Sequence, residues 1–424
     1  MGVAALTAVV VLVVVFAVPG EAPAPAATPQ RIDGPAWEFD RPVAPELFGV
    51  TLSSATGEMP GFRVGSLRFW DSRTRWATLQ PRPGEYDWSV LDRLVDSARR
   101  AGLPALMVFG GTPEWAAPQG PKAPYDDGSR AAPPDDLARW EEFVRAVGQR
   151  YRGRLEAYEL WVSANDHRYF AGSVETLVEM TRRAKRILDE VDPAAVLVCP
   201  PMGRLWEEEG RAVLRRFAQL GGYDHCDVAG VKLHQRHASD PPETMLALVR
   251  QTWSALHEAG VHPRVWNTST TYELPSQGAL DERRASDYAM RFYLAGIYGT
   301  SLSLERMYFY NWGSTNLPIV LQPKGGRPTK AALAVEELQR WLHRTRTRSC
   351  GHGAEAGLPE TVWQCVLAAE DGRVLTVRWT HTGTASTTAP AGTELVRLAD
   401  GSSRAARAGD AVAVSETPVL VEGR

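Results

Sequence analysis

The sequence predicts an α/β protein: a (β/α)8 barrel of the TIM type followed by a small all-β, sandwich-like domain. Three observations predict it. Short apolar runs alternate with long amphipathic stretches through most of the chain, the pattern of repeated strand–helix units. The helical period stops near Arg348, after which short apolar runs alternate with Gly, Asp, Ser and Pro turns. A length of 424 residues suits a barrel of about 250 to 300 residues with a smaller companion.

In chain order the barrel strands are expected at Phe48–Leu52, Ser66–Trp70, Ala105–Phe109, Ala157–Val162, Val196–Pro200, Val228–His234, Val265–Ser269 and Met307–Trp312. Each strand but the first has its helix. Val90, Leu91, Leu94, Val95 and Ala98 follow the candidate cap Asp87, and Leu177, Met180, Ala184, Ile187, Leu188 and Val191 follow the candidate cap Ser173. Five more helical periods cover Trp140–Tyr151, Glu207–Leu220, Met245–Ala259, Arg283–Tyr298 and Ala331–Leu342. An open doubly wound sheet is the competing fold, but no G-x-G-x-x-G or G-x-x-x-x-G-K-[ST] follows any strand. Beyond the barrel, Val362–Leu367, Val374–Trp379, Glu394–Leu398 and Ala411–Val414 are the strands of the β domain. Within it, packing on the barrel is the expected role; Trp363 and Trp379 are too few aromatics to argue for a sugar-binding module.

The ends and the composition bound the setting. Val3–Val18 is almost wholly apolar, stops at Pro19-Gly20 and leads into an Ala/Pro-rich stretch. It reads as an export signal or a retained membrane anchor, against the alternative of a buried core helix. The expected divisions are therefore residues 1–20 as signal or anchor, 21–40 as linker, 41–346 as barrel and 347–424 as β domain. This places the protein outside the cytoplasm, secreted or held on the outer face of the membrane. Export permits disulfides, and Cys350 and Cys365 are expected to pair; Cys199 and Cys226 are either a second pair or buried thiols. A net charge of -3 gives no basic footprint for nucleic acid.

Aromatic residues gather at the expected strand ends: Trp70, Trp115, Trp161, Trp266, Tyr272, Tyr310 and Trp312, with Tyr169, Phe170 and Trp206 in nearby loops. Rings of this kind stack on the CH faces of sugars, while Arg68, Asp71, Asn165, His234 and Asn311 could bond hydroxyls. The competing reading gives about half of these rings to the barrel core. No cofactor is implied. His234-Gln235-Arg236-His237 has an H-x-x-H spacing, but at a strand end and not on a helix face, so no metal site is expected. A serine esterase is disfavoured because there is no G-x-S-x-G elbow. Asn267-Thr268-Ser269 matches a glycosylation sequon but lies at a barrel strand end.

Tyr158-Glu159-Leu160-Trp161-Val162-Ser163-Ala164-Asn165 resembles the strand-four motif Y-E-x-W-N-E-P-N of clan A glycoside hydrolases, and Val265-Trp266-Asn267-Thr268-Ser269 resembles W-x-T-E of strand seven. Leu67–Ser72 with Trp76, Pro83–Trp88 and Gly110–Trp115 extend a likeness that runs from about Phe48 to Leu342 and is most like family 39. The resemblance implies an acid/base glutamate at Ser163 and a nucleophile glutamate at Ser269. It also implies an asparagine for the sugar 2-hydroxyl at Val162 and a proline at Ala164. In that family a matching arginine faces the nucleophile, so Arg68 needs another partner: Asp71, Glu159 or an acidic ligand such as a uronate.

A retaining glycosidase needs two carboxyls about 5 to 5.5 Å apart, one to protonate the leaving oxygen and one to attack. Serine is no acid of useful strength and, without a base, a weak nucleophile. The reading is therefore a catalytically degenerate, carbohydrate-binding pseudo-hydrolase. Its expected sugar contacts are Arg68, Asp71, Trp115, Trp161, Asn165, His234, Trp266, Tyr310 and Trp312, and its saccharide is neutral or acidic. Two alternatives stand beside it: an active retaining-type glycosidase or transglycosidase using relocated carboxylates, Asp166 or Glu273, and an envelope protein that binds a partner and no sugar.

Overall fold

A computed structural model describes residues 37–269 and 277–424. Its elements in chain order are β1 (Trp37–Pro42), β2 (Phe48–Leu52), β3 (Ser66–Phe69), α1 (Trp76–Leu79), α2 (Ser89–Arg100), β4 (Ala105–Phe109), α3 (Leu137–Tyr151), β5 (Ala157–Leu160) and α4 (Val174–Val191). The barrel continues with β6 (Val196–Val198), α5 (Glu208–Gln219), β7 (Val228–Val231), α6 (Met245–Glu258), β8 (Arg264–Asn267), α7 (Glu282–Tyr298), β9 (Leu304–Trp312) and α8 (Lys330–Trp341). Strands β10 (Thr345–His352), β11 (Val362–Ala369), β12 (Val374–Thr380), β13 (Ala385–Thr388), β14 (Thr393–Leu398), β15 (Ser403–Ala405), β16 (Ala411–Val414) and β17 (Val419–Gly423) complete the chain.

Strands β2 to β9 close into a parallel barrel in sequence order, and an all-β region follows it. Every residue of β2, β3, β4, β5 and β7 is buried, as expected of parallel strands covered on both faces. Inward-facing Trp70, Leu106, Val108, Ala157, Val162, Val198, Val228, Trp266 and Tyr308 form one cluster inside the barrel. Gly49 belongs to this interior because a Cβ there would stand 2.6 Å from the Tyr308 ring. The helices use local chemistry that the sequence advertises: Ser173, Asp281 and Thr329 accept hydrogen bonds from the backbone N–H groups of Thr176, Arg284 and Ala332. Asp87 differs from expectation by one step. Helix α2 starts at Ser89 with Trp88 at its cap position, and Asp87 accepts from the Ser89 N–H from just outside.

The β region is larger than the alternating runs suggest. Seven strands form one sheet in the order β1-β10-β11-β12-β17-β14-β15, and β13 pairs with β16. Strand β1 lies across the linker–barrel boundary expected at residue 40 and pairs antiparallel with β10, so the chain visits this sheet before it enters the barrel. Barrel and sheet share one compact unit. A groove of about 780 Å³ along their seam has Met290, Leu333, Ala334 and Leu398 among its walls, with charged residues around them.

Cys350 and Cys365 face each other across the β10–β11 ladder and are bonded, as are Cys199 and Cys226. Replacing Cys350 and Cys365 by serine releases a loop whose closure is worth about 3 kcal/mol in the chain-entropy model. Urea unfolding of the double variant should show that loss. A midpoint unchanged from the parent would mean that the ladder, not the bond, holds this edge.

Candidate active site

Side chains that point into a barrel recur at every second strand position and fall into layers. On β3 and β5 this places Arg68 and Glu159 in one layer, and the residues just past β7 and β8, Lys232 and Thr268, complete it. Arg68 binds the Glu159 carboxylate through two parallel bonds, Nε to Oε2 at 2.6 Å and Nη2 to Oε1 at 2.9 Å. Lys232 Nζ donates to Glu159 Oε1 at 3.3 Å and to Thr268 Oγ1 at 3.0 Å, and Thr268 Oγ1 donates to Glu159 Oε1 at 3.2 Å. Arg68 and Lys232 are 1% exposed and Glu159 is 0%.

Glu159 is thus the partner of Arg68, and the ground for an acidic ligand that would neutralise this arginine falls away. Burial works against the Glu159 charge, but Arg68 and Lys232 outweigh it and hold its pKa below the usual carboxylate range. For Lys232 burial dominates, the Arg68 charge adds to it, and the amine drops to about 7 despite Glu159.

Above this layer the chain leaves β5 through two residues in the left-handed region, Trp161 at φ 66° and Ser163 at φ 42°. Such a conformation costs an L-residue roughly 1–2 kcal/mol, and here it reverses the alternation. Trp161 turns outward: its ring packs on Trp140 and Phe170, and its indole N–H donates to the Tyr169 carbonyl at 2.6 Å. Val162 takes the inward place instead. Ser163 reaches the strand end beside Lys232, since a Cβ on Gly203 would stand 3.5 Å from Ser163 Oγ and 3.6 Å from Lys232 Cβ.

Several rings expected in the cleft are core. Besides Trp161, Trp266 lies one layer too deep; its ring meets Arg306 and Tyr308, and its N–H points to Glu305 at the opposite end of the strand. Trp312 is wholly buried and donates to Gln322 at 2.9 Å. The reason is the same for both: the aromatic count at strand ends does not say which face a ring takes. Asn165 is committed to backbone, donating to the carbonyls of Gly203 and Gly210 and accepting from the Gly203 N–H. Its amide fixes the loops after β5 and β6 and has no donor left for a hydroxyl.

The rings that do border the mouth are mostly tyrosines. Tyr310 donates to Asp71 Oδ2 at 2.6 Å; burial and then the Asp71 charge push its pKa well above the usual phenol value. Tyr125 stands edge-on to Trp70, whose N–H donates to its hydroxyl at 3.2 Å, and tilts toward Tyr169 with centroids 5.9 Å apart. Arg75 lies 4.0 Å from the Tyr125 centroid and bridges Asp71 and Asp127. Trp115 is half-buried and donates to the Gln80 carbonyl at 2.9 Å. His234, also half-buried, has Nδ1 2.8 Å from the Gln235 carbonyl, and the Trp206 indole N–H donates to the His234 carbonyl. His237 instead pairs with Asp240, and among the described residues no group of three or more His, Cys, Asp or Glu is placed to hold a metal.

Asp166 is buried and accepts from Arg168 on both carboxylate oxygens, Nε to Oδ1 at 3.0 Å and Nη2 to Oδ2 at 2.6 Å. Burial opposes its charge, but the Arg168 bonds and the Arg204 field prevail and hold its pKa below the usual carboxylate range. A carboxyl held ionised in this way is unsuited to deliver a proton at neutral pH. Glu114 pairs with Arg130. Tyr272 and Glu273 lie outside the described residues. Ser269 is buried at the end of the segment that follows β8. Residues not singled out from the sequence are Lys232, Arg75, Tyr125 and Asp127. Lys232 was available from parity, two positions before His234 and in phase with Val228, whereas Tyr125 comes from a long loop with no period to read.

This arrangement is that of a (β/α)8 barrel whose chemistry gathers at the C-terminal strand ends, and comparison with known proteins agrees on the fold. Over 91% of its length the chain superposes on a family 39 glycoside hydrolase from Bacteroides cellulosilyticus WH2 (TM-score 0.68, 15% identity, 81% of that chain). A glucosidase from Croceicoccus marinus gives TM-score 0.65 at 14% identity, and a family 39 β-xylosidase from Caulobacter crescentus gives 0.63 at 14%. In both cases 91% of this chain and 98% of the other are covered. A family model described as β-galactosidase, of glycoside hydrolase family 42, matches residues 70–135. No curated protein matches by sequence.

Proposed function

We propose that this protein is a carbohydrate-binding barrel of the glycoside hydrolase kind that lacks glycosidase activity of the two-carboxylate type. The observation that carries the reading is chemical. Where the family resemblance implies glutamates, the side chains are the hydroxyls of Ser163 and Ser269, and a carboxylate one layer below, Glu159, is bound by Arg68 and Lys232. Relocation to Asp166 is opposed by its two-point pairing with Arg168. General acid catalysis is worth roughly 100-fold to 10,000-fold, so its loss together with the nucleophile is disabling. Binding is supported by the half-buried rings of Tyr125, Tyr169 and Tyr310 around Asp71 and Arg75. Export is part of the proposal, and the apolar leader and the pairing of all four cysteines support it.

A glycan-array screen run beside aryl-glycoside hydrolysis tests the reading. Binding without turnover is expected, and Tyr125→Ala should weaken binding at least about tenfold, the scale of one lost stacking contact. Turnover by the parent that disappears in Asp166→Asn or Glu273→Gln would overturn it in favour of relocated carboxylates. Neither binding nor turnover would favour a partner-binding role. The Ser163→Glu/Ser269→Glu variant, assayed in parallel, asks whether the cleft still accepts the older chemistry.

A further inference from the structure

The groove of about 780 Å³ along the seam between barrel and C-terminal sheet shares no residue with the mouth of the barrel. Its walls follow from helix geometry. Ser286, Asp287 and Met290 recur at the spacing of one face of α7, and Lys330, Ala334 and Glu337 at that of one face of α8. The turn between β14 and β15, with Leu398 and Gly401, and the stretch from Ser415 to Val419 close the far side. The space persists because several wall residues are small: Ser286, Ala334, Ala413 and Ser415 stand where larger side chains would fill it. Leu333 and Leu398, by contrast, are two of the four large apolar side chains left exposed among the described residues. A space of this size at a domain junction, mostly apolar with a few charges on its walls, is the usual setting of a small-molecule site.

The charges on the walls decide which molecule fits. Lys330 and Arg340 are exposed at the rim and already bound, to Glu282 at 2.8 Å and to Glu337 at 2.7 Å. Asp287 differs from every other charge in the groove. Its side chain is only 6% exposed, and its one ion-pair partner among the described residues is Arg283 Nε at 3.8 Å, on a side chain that is 75% exposed. That separation is beyond hydrogen-bonding distance, and the bond from the Thr417 side chain brings no positive charge. Burial accordingly raises the Asp287 pKa in spite of Thr417, Arg291 and Arg283. We propose that the groove binds a small amphipathic organic cation, with its apolar body against Met290, Leu333 and Leu398 and its ammonium or guanidinium group on Asp287. An anion would meet Asp287 while the rim cations are engaged with carboxylates of their own. A neutral apolar molecule would cover the leucines but deepen the burial of a carboxylate short of a partner. The cation supplies the countercharge and covers the leucines together. This site is separate from the sugar reading, and either can stand without the other.

The experiment is a fluorescence titration of the full chain with three matched probes, each a dansyl group on a short alkyl chain that ends in a primary ammonium, a carboxylate or a methyl group. Expected is saturable binding of the ammonium probe, at least about tenfold tighter than either of the others, the scale of one charge-assisted hydrogen bond. Asp287→Asn, its fold checked by circular dichroism, should bring the ammonium probe to the affinity of the methyl probe and leave the methyl probe unchanged. Leu333→Gln, at an exposed position, should weaken both probes, which locates them in this groove and not at the barrel mouth. No saturable binding, equal affinity for the ammonium and carboxylate probes, a preference that survives Asp287→Asn, or binding untouched by Leu333→Gln would each overturn the proposal. Self-association of the parent that Leu333→Gln abolishes would overturn it as well, since the groove would then be a contact between two copies of the chain.

Discussion

Glu243→Ala should lower the unfolding free energy by about 3–5 kcal/mol, the cost of leaving one member of a buried ion pair alone. Arg291 on α7 is 0% exposed and meets Glu243, also 0% exposed, through Nε to Oε1 at 2.8 Å and Nη2 to Oε2 at 2.6 Å. The same carboxylate accepts the Trp379 indole N–H of β12 at 2.7 Å, and Arg291 also donates to the His381 carbonyl at 3.2 Å and faces Glu416. The cluster therefore joins the segment before α6, helix α7 and the C-terminal sheet in one contact centred on a buried ion pair. Removing Glu243 takes the two-point partner from a guanidinium that cannot neutralise itself, leaving it only Glu416 and the His381 carbonyl, and leaves a buried indole N–H without its acceptor. Urea titration read by tryptophan fluorescence measures the loss. The control is Glu243→Leu with Arg291→Met, which removes both charges and should recover most of it. A loss under about 1 kcal/mol in the single variant would mean that water reaches Arg291 and that the seam is held by its apolar contacts.

That contact also marks where sequence reading reached its limit. Barrel strands are legible because each must bury both faces, so eight apolar runs stand out; β2 and β4 were bounded to the residue and the rest to within a few. Strand β1 is not legible, since Trp37–Pro42 reads Trp-Glu-Phe-Asp-Arg-Pro and gains its strand character only from pairing with β10, more than three hundred residues away. The site divides in the same way. Glu159, one layer below the strand end, follows from the two-residue period of a strand. Trp161 defeats that period because two left-handed residues turn its ring outward, and no propensity of Trp or Ser announces such a bend. Trp266 and Trp312 fail for a simpler reason: a tryptophan at a strand end serves core and cleft equally well, and only the facing residues, Arg306 and Gln322, decide. Asn165 keeps a motif position and spends its amide on backbone, so a residue type carried by resemblance did not carry its contact.

Glu159→Gln is expected to cost a similar amount, about 3–5 kcal/mol, with a pH dependence set by Lys232. Three polar groups converge on Glu159, and the two cations are not equivalent. Arg68 stays charged whatever happens; Lys232, at about 7 in the folded chain against 10.5 when unperturbed, can release its proton. Between those two values the unfolded chain binds more protons than the folded one. Stability from this group is thus fully present above 10.5 and is lost as pH falls toward and through about 7. Lys232→Met should flatten that slope, removing a rise on the order of 1.4 kcal/mol per pH unit within the window. It should be neutral or mildly stabilising at pH 6.5, where the parent must hold a second buried cation. In Glu159→Gln the orphan is Arg68 alone once Lys232 is neutral, so raising the pH should recover part of the loss without abolishing it. Parallel pH dependence in the parent and in Lys232→Met would show that the amine keeps an ordinary pKa in the folded chain.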